Sequence, residues 1–232
     1  MWTEELKERF MKTDPAAYGH FIGVRFMAPK IKPINPNSKI CGPAYTVKTY
    51  GKDHYAMFKA IEDAPAGSVI VIDRAGDEIY APVGEFVARG ARAKGLAGFV
   101  IDGMATDSAY IRTFEDFPVF CSGLSAVTCN CWGITGETQV DVCCGGAVVH
   151  PGDIILGDCD GLVVMPSEGY EDMLERAEAM AAREAKMRAA YESGQPLPAS
   201  GRPSVKVLEE AKIQDIINAL RSGELAPDFW KK

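Results

Sequence analysis

Two carboxylates in this 232-residue chain stand where chemistry is possible: Glu85, directly after Gly84, and Asp107. Each falls at a junction between a loop and a predicted helix, and the apolar run Gly98–Ile101 between them reads as a buried strand. The turn Pro82-Val83-Gly84-Glu85 opens a helix whose first backbone N–H groups have no internal partner. Gly84 and the amides of Glu85, Phe86 and Val87 therefore form a cradle able to hold a carboxylate. With acids beside it, the cradle suggests a mixed site. Asp107 and Glu85 would hold a hard divalent cation, directly or through its waters, as Mg²⁺ prefers. Helix capping is the simpler alternative, since an acid in a first turn stabilises a helix by up to about 1 kcal/mol without any function.

Other motifs offer less. Cys129-Asn-Cys131 and the adjacent Cys143-Cys144 lack the C-x-x-C spacing that brings two thiolates to one zinc, so the seven cysteines read as reduced thiols and small buried hydrophobes. His20, His54 and His150 form no ligand pair, and no glycine-rich phosphate loop occurs. A net charge of -7 without a Lys/Arg-rich run argues against nucleic acid or an anionic membrane as partner. The apolar runs are too short to span a bilayer and the charged amino terminus is unlike a signal peptide, which predicts a soluble cytoplasmic protein.

The elements that must position the two acids follow from periodicity. Thr3–Met11 predicts a short amphipathic helix used as an arm. Phe26–Ser38, with Pro29, Pro33 and Pro36, predicts a long ordered loop. Strand Ala44–Thr49, helix Asp53–Glu62, strand Ser68–Asp73, helix Gly84–Lys94, strand Gly98–Asp102, helix Asp107–Phe114 and strand Pro118–Cys121 then alternate. That order predicts an α/β fold with a partly parallel sheet. Val140–Cys144, Ala147–Val149, Asp153–Gly157 and Leu162–Met165 read as a meander of further strands in that sheet. Glu168–Tyr191 predicts a long helix whose stripe of Met173, Leu174, Ala177, Met180 and Ala181 serves core or subunit packing. Residues 1–192 thus read as one α/β domain with a helical arm. Residues 193–232 read as a linker over Ser193–Pro203 and a helix over Val205–Leu220, used in subunit packing.

The ordered set Gly84-Glu85-Phe86, Gly95–Asp107 with its Ile101-Asp102-Gly103, Phe117–Phe120, Pro151-Gly152 and Asp160–Pro166 resembles the RraA-like proteins. That family includes the class II aldolases acting on 4-hydroxy-4-methyl-2-oxoglutarate and 4-carboxy-4-hydroxy-2-oxoadipate. The resemblance covers roughly Pro29 to Tyr191. It implies a swivelling β/β/α-type fold, a layered sheet with flanking helices, and homotrimers or homohexamers whose active sites lie between subunits, with an acid from the neighbouring subunit. In active members an acid is followed, after twenty positions, by Arg-Asp. Glu85 matches the acid and Asp107 the metal-liganding aspartate, but Thr106 stands where the arginine would be. The implied activity is a Mg²⁺- or Mn²⁺-dependent lyase that cleaves a small 2-oxo acid through a pyruvate enolate, by retro-aldol reaction or oxaloacetate decarboxylation. Thr106 replaces the arginine's charge with a hydrogen bond at best, altering substrate range, and Arg89 and Arg112 are the nearby cations that could substitute. The other reading the resemblance allows is a non-catalytic, protein-binding regulator of the ribonuclease E inhibitor type.

Overall fold

The computed structural model describes residues 2–23 and 25–195. It divides into two compact units, Met1–Ala181 and Ala182–Lys232. The expected linker and final helix past residue 195 lie outside the described residues.

The first unit is built on four parallel strands, β2 (Ile40–Lys48), β3 (Val69–Asp73), β4 (Gly98–Ala105) and β5 (Val119–Leu124), aligned so that Lys48, Asp73 and Asp102 are neighbours at their carboxyl ends. The edge beyond β5 is β1 (Lys32–Pro33), antiparallel, where a proline can sit without removing an inner ladder bond. Beyond β2 lie β9 (Ile154–Gly157) and β10 (Leu162–Met165). β2 is longer than its predicted run because its first half, Ile40–Pro43, pairs with β9 while its second half pairs with β3. Its last two residues also pair with β6 (Glu137–Thr138).

Strand alternation separates two cores. Ile70, Ile72, Phe99 and Ile101 face helices α3 (Tyr55–Asp63), α4 (Glu85–Ala93) and α5 (Ser108–Ile111), meeting Met57, Ala60, Ala88, Ala91 and Ile111. Val69, Val71, Val100 and Phe120 face the opposite way, onto Val142, Cys144, Ala147 and Val149 of the hairpin β7 (Val142–Cys144) and β8 (Ala147–Val149). This hairpin forms its own two-stranded sheet instead of extending the main one, which corrects the meander expectation: of the four expected meander strands, β9 and β10 alone join the main sheet. Hairpin, sheet and helices make the β/β/α layering that the resemblance implies.

A third core covers the far face of β9 and β10. Ile154, Leu156, Val163 and Met165 meet Phe10 of α1 (Glu4–Met11), Ala17 and Tyr18 of α2 (Pro15–Gly19), and Leu174 and Ala177 of α6 (Glu171–Glu192). Leu174 and Ala177 of the methionine stripe are thus buried in intrachain core with Met173 and Met180 packed against it, and Arg9 clamps the arm to α6 through both oxygens of Glu178, each at 2.8 Å. No helix among the described residues is long and apolar enough to cross a membrane.

Candidate active site

The strand ends in register carry acids, and most of these are consumed by the fold. Asp73 accepts the N–H groups of Ala75 and Cys143, at 2.7 and 3.2 Å. Asp102 accepts from Gly145 N–H at 2.8 Å and from the Ser122 hydroxyl, with Lys30 at 3.3 Å. Both carboxylates fasten the β7–β8 hairpin to the sheet. Asp53 is buried and accepts four backbone N–H groups.

Asp107 is different. β4 runs three residues further than its predicted end, and Asp107 caps α5 in the left-handed conformation, φ 54° and ψ 34°, where aspartate is one of the few tolerated side chains. α5 is a single turn, shorter than the predicted Asp107–Phe114 helix. Asp107 Oδ2 accepts the N–H of Glu85 at 2.9 Å, and Oδ1 has no hydrogen-bond partner among the described residues. The contact depends on Gly84, because a Cβ there would lie 2.4 Å from Asp107 Oδ2 and 2.8 Å from Thr106 Cγ2. The chain is held in place by a bridge between Val83 and Ala105 and by Thr106 N–H donating to Val83 at 2.9 Å.

The sequence therefore foresaw the meeting of the two junctions but not its form. The first amide of the expected cradle, that of Glu85, is taken by Asp107 itself, leaving those of Phe86 and Val87 at the first turn of α4. The side chain of Glu85 is only 15% exposed, and its Oε1 accepts from Arg89 Nε at 2.8 Å, one helical turn on. Arg89 also lies over the Phe114 ring at 5.0 Å. Arg112 is exposed and forms no ion pair with the described residues. Thr106, Asp107, Ser108, Leu124, Ser125 and Ala126 line a shallow depression of about 230 Å³. A divalent cation would meet here one carboxylate oxygen without a protein partner among the described residues, that of Asp107, which suits an ion that retains its waters.

Elsewhere, Asp158, Cys159 and Asp160 bring three potential ligand atoms within 4.8 Å of one another at the β9–β10 turn, toward the opposite end of β2. Backbone carbonyls of this turn already accept from Lys32 Nζ. All seven cysteines are free. Burial pushes the thiols of Cys41 and Cys121 up to about 12 and 11, so neither is a ready nucleophile. His150 Nδ1–H donates to Asp141 Oδ1 at 2.8 Å beside the β7–β8 hairpin, and the pairing raises the pKa of His150.

A glycine–acid helix start is set against an aspartate after the neighbouring strand, at the carboxyl ends of the parallel strands, where open α/β sheets place their ligands. The RraA-like family pattern, described as Aldolase/RraA, matches residues 16–164, and the chain belongs to that family. It is 40% identical over 155 residues, 67% of this chain and 73% of the relative, to a Halalkalibacterium halodurans protein provisionally named a 4-hydroxy-4-methyl-2-oxoglutarate aldolase. The fold is similar to an uncharacterised Pseudomonas syringae protein (TM-score 0.72, 26% identity, covering 85% of this chain and 97% of that one). It is also similar to the RNA-processing inhibitor RraA of Thermus thermophilus (TM-score 0.56, 27% identity, 61% and 84% covered).

Proposed function

We propose that this protein is a divalent-metal-dependent carbon–carbon lyase that cleaves a small 2-oxo acid to give pyruvate, by retro-aldol cleavage of a 4-hydroxy-2-oxo acid or by decarboxylation of oxaloacetate. The observation that carries this reading is the Asp107 carboxylate: one oxygen is fixed by the Glu85 amide, and the other is left available in the depression beside Thr106. The 40% identity to a provisionally named aldolase supports the reaction class.

In this reading Asp107 holds Mg²⁺ or Mn²⁺, which when bound acts as a Lewis acid toward the 2-oxo acid. The amides of Phe86 and Val87 orient the substrate carboxylate at the positive end of α4. Glu85, held by Arg89, orients the water that takes the hydroxyl proton. Thr106 offers a hydroxyl where active relatives of the resembled pattern carry a guanidinium, which shifts the substrate range. The site is completed in a homotrimer or homohexamer. Phe86, 81% exposed beside Glu85, together with exposed Leu124 and Ile134, supplies apolar surface suited to that contact.

With Mg²⁺ or Mn²⁺, the purified protein is expected to release pyruvate from at least one of a panel of 4-hydroxy-2-oxo acids and oxaloacetate, and Asp107→Ala to abolish both release and metal binding. No release from the panel, with metal affinity untouched by Asp107→Ala, rejects the proposal. The neutral Thr106 and the likeness to an RNA-processing inhibitor favour a second reading, a protein-binding regulator. A stable partner captured from lysate without metal, and still captured by Asp107→Ala, would select it.

A further inference from the structure

We propose that Arg74 is a positioning residue for the site at Gly84 and Asp107, an inference that rests on the reading of that site given above. Arg74 follows β3 and is 1% exposed. Its Nη1 donates to Thr49 Oγ1 at 2.6 Å, and its Nη2 to the Gly51 carbonyl and to Asp77 Oδ2, the last at 3.2 Å. The guanidinium thus joins the loop after β2 to the loop after β3. Its aliphatic stem packs on Gly103, where a Cβ would come within 2.5 Å of Arg74 Cγ, so it also fixes the approach of β4.

Both arms of the site start from these contacts. On one side Asp77, besides pairing with Arg74, accepts the N–H groups of Ile79 and Tyr80 at 2.8 and 2.9 Å. The chain then bonds through Ala81 to Val127, bridges through Val83 to Ala105, and reaches Gly84. On the other side Gly103 leads in four residues to Asp107. The arms meet in the single bond from Glu85 N–H to Asp107 Oδ2. The turn between Arg74 and Asp77 is itself tightly determined, with Ala75 at φ 52°, a conformation that a non-glycine residue keeps only where its surroundings impose it.

Stability alone is a poor explanation for this arginine. A buried guanidinium is costly to desolvate, and the Nε of Arg74 has no partner among the described residues, so its charge is imperfectly satisfied. What the side chain supplies is geometry: a planar fork that ties two loops and one strand in fixed relation, which a flexible ammonium does not reproduce.

The test uses the full chain with Mn²⁺ alone as the probe, followed by titration calorimetry, thermal melting and amide hydrogen exchange. Arg74→Met keeps the stem and removes the fork. Asp77→Asn keeps an acceptor for Ile79 and Tyr80 while removing the charge paired with Arg74. Arg74→Met is expected to melt near the wild type yet bind Mn²⁺ about tenfold more weakly and exchange the Glu85 amide faster, as loss of outer support does at metal sites. Asp77→Asn is expected to show the same changes, smaller, and carries the test if Arg74→Met does not fold. A folded variant with wild-type affinity and wild-type Glu85 exchange overturns the positioning role and leaves the site reading intact. A wild type that binds no Mn²⁺, or binds it equally after Asp107→Ala, overturns the site reading instead. Glu85 exchange then decides for or against Arg74 without reference to metal.

Discussion

Asp53 and Asp107 occupy equivalent places, each just before a helix at the carboxyl end of the parallel strands, yet the fold treats their carboxylates in opposite ways. Asp53 is 2% exposed, and its two oxygens accept N–H groups from Tyr55 and Trp132, and from Ile134 and Thr135. Burial alone would raise its pKa, but the four donors outweigh burial and hold it well below the usual carboxylate range. Asp107 is exposed, accepts one N–H, and keeps its second oxygen without a protein partner among the described residues. The saturated carboxylate organises the loop 132–135. The unsaturated one is left able to bind something else. The difference lies in the number of backbone donors the surrounding loops deliver.

The largest expected effect tests the saturated end. Asp53→Ala leaves four part-buried backbone donors without their acceptor and should cost on the order of 4 kcal/mol in urea unfolding, whereas Asp107→Ala, losing one exposed bond, should cost about 1 kcal/mol. Equal costs would break the comparison. Acid sharpens it. Because the folded pKa of Asp53 lies below its unfolded value, near 3.9 for a free aspartate, its contribution is fully present above about pH 4 and is lost as pH falls toward the folded value. Asp53→Asn should therefore flatten the acid limb of stability against pH.

The two acids were not equally legible in the sequence. Asp107 stood out because the β-branched run of β4 and the glycine-led start of α4 are local signals, and the strand–helix alternation places their ends together. Asp53 and Arg74 carried no such signal, since their partners lie as far off as Thr135 and Thr49 and are mostly backbone groups, which every sequence possesses. The same reasoning covers the fold. The β3 run Val-Ile-Val-Ile announced a buried parallel strand. Alternation in β7 and β8 announced strands but not that they would leave the main sheet, because a period of two specifies a buried face and not the neighbour that covers it. Pro15 after Asp14 was a readable helix start for α2 that the hydrophobic pattern alone passed over. The bond between Glu85 and Asp107 was hidden for a different reason: the amide expected to await a ligand meets an acid of the same chain.

Gly84→Ala tests that bond with an intermediate effect. The new methyl would sit 2.4 Å from Asp107 Oδ2, so either α4 or Asp107 must move. Overpacking of this kind costs about 2 kcal/mol, and here the strain falls on the unsaturated carboxylate. Loss of Mn²⁺ binding together with this modest destabilisation is the expected result. Full metal binding in a Gly84→Ala protein would show that the Glu85–Asp107 contact does not set the carboxylate's position.

The smallest expected energy belongs to the pair Glu85–Arg89, and it separates structure from chemistry most sharply. A partly exposed pair four residues apart on a helix couples by about 0.4 kcal/mol, and the order acid then base suits the helix dipole. A double-mutant cycle of Glu85→Gln and Arg89→Met in urea unfolding should return a coupling of that size. If Glu85 orients the proton-accepting water, Glu85→Gln lowers kcat by about a hundredfold with KM nearly unchanged, while Arg89→Met, which frees the carboxylate without removing it, loses far less. Equal losses in kcat would mean instead that the ion pair acts as a unit, with Glu85 serving only to hold Arg89 over Phe114. Asp107 would then be the one acid of this site whose carboxylate the fold leaves for chemistry.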